Sequence, residues 1–146
     1  MSTIPDYMTQ KHRHCDEIFT QAESAVAKNN WLTASEQWSI FTNELELHLQ
    51  AEENILFPQF EQATGMTAGP TQVMRGEHQQ MRALVNDLNE ALNIENKDKF
   101  LGLSETLMVL MQQHNMKEEM MLYPMCQQQI PQSDVLQEQL AIFCEK

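Results

Sequence analysis

The chain contains 146 residues, and its 4 glycines and 5 prolines are too few for the many turns of a β-sandwich or barrel. A chain of this length suits one domain with its own core, which we expect to span residues 1–146. The formal charge of −12, with only 9 lysines and arginines, argues against nucleic acid as a partner, because phosphate backbones would be repelled.

Apolar runs and cysteine spacing indicate the compartment. No apolar run reaches the roughly 18 residues of a membrane span, and the N-terminal segment has no apolar stretch of the secretory kind. Cys15, Cys126 and Cys144 are odd in number and widely spaced, which indicates free thiols rather than a disulfide framework. We therefore predict a cytoplasmic protein without a membrane partner.

Apolar residues at helical spacing predict the elements in chain order. The first helix should cover about residues 8–28 and the second about residues 31–63, with Pro58 expected to kink or shorten it. Residues 65–71 read as a loop, and Thr71 as the cap of a third helix that ends near residue 92. The apolar stripes include Met8, Cys15, Phe19, Trp38, Phe41, Leu45, Leu56, Val73, Met74, Met81, Leu88, Leu107, Met111 and Met121.

A fourth helix should follow the turn at residues 93–97 and run over about residues 98–129. Pro131 then precedes a short terminal helix that ends near Glu145. Four long helices joined by short loops predict an all-α, up-down-up-down four-helix bundle with a short C-terminal helix. Trp31 and Phe143, if exposed on outer helix faces, would allow a homodimer.

An internal repeat runs through this pattern. The segments HLQAEENILFP from His48 and HNMKEEMMLYP from His114 share His-x3-Glu-Glu-x2-Leu-[Phe/Tyr]-Pro and lie 66 residues apart. His12 and His78 are separated by the same 66 residues. The chain therefore reads as two similar helix hairpins, each with one lone histidine and one histidine followed by a glutamate.

The repeated residues suit metal binding. Residues four apart share a helix face, so His48 with Glu52, and His114 with Glu118, can each direct two donors at one point. Their positions on apolar stripes predict burial, and buried carboxylates without arginine or lysine partners require a cation nearby. With His12 and His78 on the other two stripes, the set suits iron, manganese or zinc. Iron is favoured because zinc sites usually close with four ligands.

Several neighbouring residues are interpreted as structural. His14 lies on another face from His12 and is expected at the surface or behind the ligands. Glu53 and Glu119 are expected to face solvent, although Glu119 remains an alternative to Glu118 as the ligand. Cys15 is expected to be a small buried residue. Among the methionines, core filling is expected for Met74, Met81, Met111 and Met121.

The motifs KHRHCDEIF, HLQAEENILFP, GEHQQMR and HNMKEEMMLYP resemble the hemerythrin-like (HHE cation-binding) domain family of bacteria over about residues 8–128. The resemblance implies two non-haem iron ions inside the bundle. They would be bridged by the carboxylates of Glu52 and Glu118 and by an oxo or hydroxo group. The terminal ligands would be His12, His48, His78 and His114.

One position departs from the oxygen carriers of the wider family, which have a further histidine one turn before the third-helix histidine. That position is Met74 here, so the resemblance implies that one iron would have an extra open or water-filled position. Glu77, a tyrosine or solvent remain alternatives for a weak fifth ligand. An open position on a metal favours reactive chemistry over reversible carriage.

The resemblance implies three hypotheses for function. The preferred one is dioxygen binding, for sensing or storage, in an apolar pocket. The alternatives are a diiron enzyme that handles peroxide or nitric oxide, or donates iron in iron–sulfur cluster repair, and a metal-buffering bundle. No Ser-His-Asp set, phosphate loop or Cys-x-x-Cys motif adds a second catalytic constellation. Whether the protein is an enzyme stays open at this stage.

Overall fold

The computed structural model describes residues 2–145; Met1 and Lys146, the ends of the predicted domain, lie outside the described residues. Within this range the chain is helical without strands, which confirms the predicted class. The helices are α1 (Ile4–Ala27), α2 (Trp31–Ala51, a π-helical turn Glu52–Leu56, then Phe57–Thr64), α3 (Pro70–Asn93), α4 (Lys97–Lys117, a π-helical turn Glu118–Leu122, then Tyr123–Gln129) and α5 (Ser133–Cys144).

The helices pack as a bundle. Helix α1 lies along α2 and α3 lies along α4, while α1 also contacts α4 and α2 contacts α3. The terminal helix α5 packs against α1 and α2. Bundle packing was predicted, whereas the up-down-up-down order stays a prediction. Among residues 2–145 no helix is both long and apolar enough to cross a bilayer.

Two hydrophobic clusters fill the bundle. The first lies towards the hairpin turns and is centred on Trp38, Phe41 and Phe100, whose rings contact one another or Phe19. The second lies on the side of α5 and includes Phe57, Phe60, Met74 and Tyr123. Helix stripes predicted most of this core, because an apolar face must be buried for the helix to be stable. The six histidines and glutamates predicted to bind metal lie between the two hydrophobic clusters.

The internal repeat extends into the hairpin turns. Asn29 has φ 58° and Glu95 has φ 54°, a left-handed conformation that ends α1 and α3 in the same way. The next residues, Asn30 and Asn96, both cap the following helix, since each side-chain oxygen accepts a hydrogen bond from the backbone N–H three residues later. These pairs are also 66 residues apart, so the sequence repeat corresponds to a repeated hairpin.

The predicted cap at Thr71 was wrong, whereas the second helix continues past Pro58 to Thr64, in agreement with its predicted end near residue 63. Thr71 does not cap α3, which begins one residue earlier at Pro70; its buried hydroxyl donates to Glu61 Oε2 at 2.6 Å instead. Pro58 does not shorten α2, because the π-helical turn before it widens the helix where proline cannot donate an N–H. Pro124 follows the π-helical turn of α4 at the same position.

Two residues predicted for the core are exposed. Met121 is 63% exposed because the extra residue in the π-helical turn Glu118–Leu122 rotates it outward, and Leu122 is buried instead. Val73 is 53% exposed, while its neighbour Met74 is buried. Met74, Met81 and Met111 are in the core as predicted.

The residues expected to mediate a homodimer are less exposed than the sequence suggested. Trp31 is half-buried and packs against the first hydrophobic cluster. Phe143 is half-buried and packs against the second. Neither ring is fully exposed, and the homodimer stays a prediction.

Candidate metal centre

All six predicted site residues meet in the middle of the bundle. The atoms that they offer form two overlapping groups, each with its atoms within 4.8 Å of one another: His12, His48, Glu52 and Glu118 in one, and His78, His114, Glu52 and Glu118 in the other. Every member of both groups is buried. The four long helices each contribute, as the repeat predicted.

Glu52 lies between the two groups. Its Oε2 is 3.6 Å from His48 Nε2, and its Oε1 is 3.0 Å from His78 Nε2. Each oxygen thus faces a histidine of a different group. Glu118 Oε1 likewise lies 3.0 Å from His12 Nε2 and 3.2 Å from His114 Nε2. The two glutamates are therefore placed where a carboxylate can bridge two ions.

Outer carboxylates orient three of the four histidines. His12 Nδ1 lies 2.7 Å from Glu119 Oε2, His78 Nδ1 lies 2.7 Å from Glu53 Oε2, and His114 Nδ1 lies 2.8 Å from Glu77 Oε1. Such partners fix the ring orientation and leave Nε2 facing inward. The expectation that Glu53 and Glu119 face solvent was therefore wrong. Glu77 also occupies an outer position, not that of a fifth ligand.

Two of the outer carboxylates accept hydrogen bonds from cationic side chains near the surface. Arg82 Nη1 donates to Glu53 Oε2 at 2.8 Å, and Lys117 Nζ donates to Glu77. Burial raises the pKa of Glu53, but its hydrogen bonds to Arg82 and His78 outweigh that effect and lower it. The three outer glutamates are thus ionised acceptors that fix the N–H on Nδ1 of each ring.

His48 is the exception, because its Nδ1 is buried without a hydrogen-bond partner. The repeat explains the difference: Glu77, the partner of His114, corresponds to Lys11, which is 3.7 Å from Glu145 of the C-terminal segment instead. The two halves of the site are therefore similar but not equivalent. His14, by contrast, is exposed on α1, as expected.

Tyr123 is the residue that sequence analysis did not place. Its fully buried hydroxyl lies 2.6 Å from Glu52 Oε2 and 2.9 Å from Glu118 Oε1. An ordinary α-helix would direct a residue five positions after Glu118 elsewhere, but the π-helical turn brings it to the same face. The shared [Phe/Tyr]-Pro of the repeat was the available signal. Burial is the main cause that raises the pKa of this phenol well above its usual value.

Buried polar atoms test whether the cluster suits a metal. Four polar atoms of the cluster are buried without a hydrogen-bond partner, although other possible ligand atoms surround them. They are Glu52 Oε1, Glu118 Oε2, His78 Nε2 and His114 Nε2. Polar atoms are rarely left unpaired in a protein interior unless an ion or water satisfies them. Their convergence, and the nitrogen and oxygen chemistry of the set, fit one or more first-row metal ions.

Imidazole protonation is coupled to the same carboxylates. Burial lowers the pKa of His12, but hydrogen bonds to Glu118 and Glu119 outweigh it and raise the pKa to about 9. Burial likewise lowers the pKa of His114, and the nearby charge of Glu118 raises it to about 9. Without an ion, protons on these rings compensate the buried carboxylates.

A small cavity adjoins the cluster on the side of the first hydrophobic cluster. Its volume is about 20 Å³, enough for one water-sized molecule. Imidazoles form part of the wall and apolar side chains most of the rest. The lining residues are His12, Cys15, Asp16, Leu45, His48, Leu49, Met81, Met111, His114 and Asn115. Cys15 is buried as expected, and burial raises its pKa to about 12, so its thiol is protonated.

The fold and site define a helical bundle with a buried histidine and glutamate metal site. Residues 3–126 match the family described as the hemerythrin HHE cation binding domain, and this chain belongs to that family. The match covers most of the chain and includes all six clustered residues. No curated protein and no solved structure matches the chain in the comparisons made.

Proposed function

We propose that the protein binds two iron ions, one at each group of the candidate centre. The observation that carries this proposal is that two histidine pairs share the same two buried glutamates. His12 and His48 would hold one ion, His78 and His114 the other, and Glu52 and Glu118 would bridge them. The proposal includes the up-down-up-down order of the four long helices, within one domain.

We further propose that the centre binds dioxygen or another small ligand for sensing or storage. Bound ferrous ions would supply the electrons for dioxygen binding. The cavity of about 20 Å³ beside His12, His48 and His114 supports a small ligand of about the size of a water molecule. Its walls are largely apolar between the imidazoles, which disfavours the entry of bulk water and so limits oxidation by solvent and loss of the ligand. The unpaired thiols of Cys15, Cys126 and Cys144 support a cytoplasmic location.

The alternative is a diiron enzyme that handles peroxide or nitric oxide, or donates iron in cluster repair. The observation in its favour is that the His78 and His114 group has four protein donors, with Met74 at the position where the resemblance implies a further histidine in oxygen carriers. More open positions favour reaction at the metal over simple carriage.

Metal analysis with visible spectroscopy tests the proposal. Protein expressed in iron-supplemented medium should contain about two irons per chain. Anaerobically reduced protein should gain a visible band in air, and the band should fade under vacuum and return with air. A single irreversible bleaching to the ferric form would favour the redox enzyme. Zinc, or no metal, would exclude the diiron centre.

Metal binding should release protons at neutral pH. Because the pKa values of His12 and His114 are about 9, both rings are protonated at pH 7 without an ion and must each lose a proton to bind one. The apparent affinity for ferrous iron should therefore rise with pH and level off above about pH 9. Anaerobic calorimetry in buffers of different ionisation enthalpy would count the protons, and a count of zero at pH 7 would contradict the geometry.

The same pKa values set the pH dependence of the metal-free fold. A histidine whose pKa is higher in the folded state than its value of about 6.5 in the unfolded state stabilises the fold, and this contribution is complete below pH 6.5. This stability is lost as pH rises towards 9. Metal-free protein should thus unfold at lower urea concentration at pH 9 than at pH 6.5.

Removing an outer carboxylate should weaken metal binding without abolishing it. Glu53→Ala leaves His78 Nδ1 without its acceptor, and loss of such partners typically lowers metal affinity about 10- to 100-fold. Competition with a chelator of known affinity measures the change. Glu36→Ala, an exposed glutamate of the same helix, is the matched control and should leave affinity unchanged.

A further inference from the structure

The hydroxyl oxygen of Tyr123 lies close to four polar atoms, but it has only one proton to donate. Besides Glu52 Oε2 and Glu118 Oε1, it lies 3.0 Å from His12 Nε2 and 3.3 Å from His48 Nε2. A phenol donates one hydrogen bond, yet four atoms lie within 3.3 Å of its oxygen. The oxygen can also accept hydrogen bonds from the two imidazoles, so its lone pairs as well as its proton face the inner atoms of this half of the site.

These distances match the edges of a coordination polyhedron. First-row ions bind nitrogen and oxygen at about 2.1 Å, so two donors at right angles on one ion lie about 3.0 Å apart. The Tyr123 oxygen lies 2.6 to 3.3 Å from the four atoms. It is therefore placed as a fifth vertex beside one atom from each member of the His12, His48, Glu52 and Glu118 group.

The other half of the site has no such oxygen. The residue 66 positions before Tyr123 is Phe57, whose ring stacks on His78 with centroids 5.7 Å apart. The repeat therefore places a phenol beside one histidine pair and a plain phenyl ring beside the other. Both residues follow a π-helical turn and precede a proline, so the backbone is equivalent and only the hydroxyl differs.

We propose that the Tyr123 oxygen is a fifth protein ligand of the ion held by His12 and His48. This inference rests on the proposed iron centre. On binding ferric iron, the O–H bond breaks as the oxygen–iron bond forms, the proton passes to solvent, and no electron is transferred. The ion held by His78 and His114 keeps four protein donors, so the two ions would differ in their number of exchangeable positions.

Phenolate bound to ferric iron gives a visible charge-transfer band with phenolate ring vibrations in resonance Raman spectra. The protein has only two tyrosines, Tyr7 and Tyr123. We would load wild type, Tyr7→Phe and Tyr123→Phe with iron, oxidise them and record both spectra alongside iron content. Phenolate vibrations are expected in wild type and Tyr7→Phe, and they should vanish in Tyr123→Phe.

The design remains decisive if Tyr123→Phe fails to fold, because vibrations that survive in Tyr7→Phe can come only from Tyr123. Iron-loaded wild type without phenolate vibrations would overturn the inference and make Tyr123 a hydrogen-bond donor only. Vibrations that persist in Tyr123→Phe, or disappear in Tyr7→Phe, would also overturn it. Failure of wild type to bind iron would instead contradict the proposed function itself.

Discussion

Replacing His48 or His114 with alanine is expected to reduce bound iron from about two ions per chain to one or none. Each imidazole is buried beside a glutamate proposed to bridge the ions, at 3.6 Å for His48 and Glu52 and 3.2 Å for His114 and Glu118. In the proposed centre both ions would share those glutamates, so loss of one histidine should weaken the second site as well. Elemental analysis of the purified variants measures this directly.

The same variants should be less stable. In the proposed iron-loaded protein the ions compensate the buried carboxylates, and loss of the compensating charge of a buried carboxylate typically costs about 3–5 kcal/mol. For a chain of this size that corresponds to a fall in melting temperature of roughly 10–20 °C. Thermal unfolding followed by circular dichroism gives the value.

His14→Ala is the control for both measurements. His14 is exposed on α1, two residues from His12, and exposed substitutions usually change stability by less than about 0.5 kcal/mol. Its iron content should equal that of the wild type. If His14→Ala lost iron while His48→Ala and His114→Ala kept two ions, the proposed ligand set would be wrong.

The sequence could predict the inner residues because two periods coincide in it. Helical spacing put His48 with Glu52, and His114 with Glu118, on the same faces, and the 66-residue offset then linked His12 to His78. The position of these polar residues on apolar stripes predicted their burial. Because a buried polar group costs free energy unless it is paired, burial in turn predicted that they share a partner. All six side chains do converge, although their role as ligands stays a prediction.

The sequence could not place the residues that depend on a change of helix type. A regular α-helix directs Glu53 and Glu119 away from the site and rotates Tyr123 off the inner face. The π-helical turns Glu52–Leu56 and Glu118–Leu122 alter that register, and no propensity rule anticipates them. The outer carboxylates were missed for a second reason: hydrogen bonds to Nδ1 join different helices, so spacing within one helix carries no trace of them.

The identity of the carboxylate on α4 decides how the centre is built. Glu118 Oε1 faces both His12 and His114, whereas Glu119 Oε2 lies on the far nitrogen of His12 at 2.7 Å. Glu118→Gln keeps the size of the side chain but removes the charge that would bridge two ions. We expect this variant to lose most of its iron, with at least a 100-fold weaker apparent affinity, because both sites are affected.

Glu119→Gln is the matched comparison, one residue away and of the same chemistry. Its amide oxygen can still accept the hydrogen bond from His12 Nδ1, so affinity should fall by less than about tenfold, while Glu119→Ala should fall about 10- to 100-fold. Chelator competition on the three variants measures all these changes, and circular dichroism checks that each is folded. The opposite order, with iron retained in Glu118→Gln and lost in Glu119→Gln, would make Glu119 the bridging ligand. Helix α4 would then have to rotate by one residue at its π-helical turn, so that Glu119 faced the imidazoles and Glu118 did not.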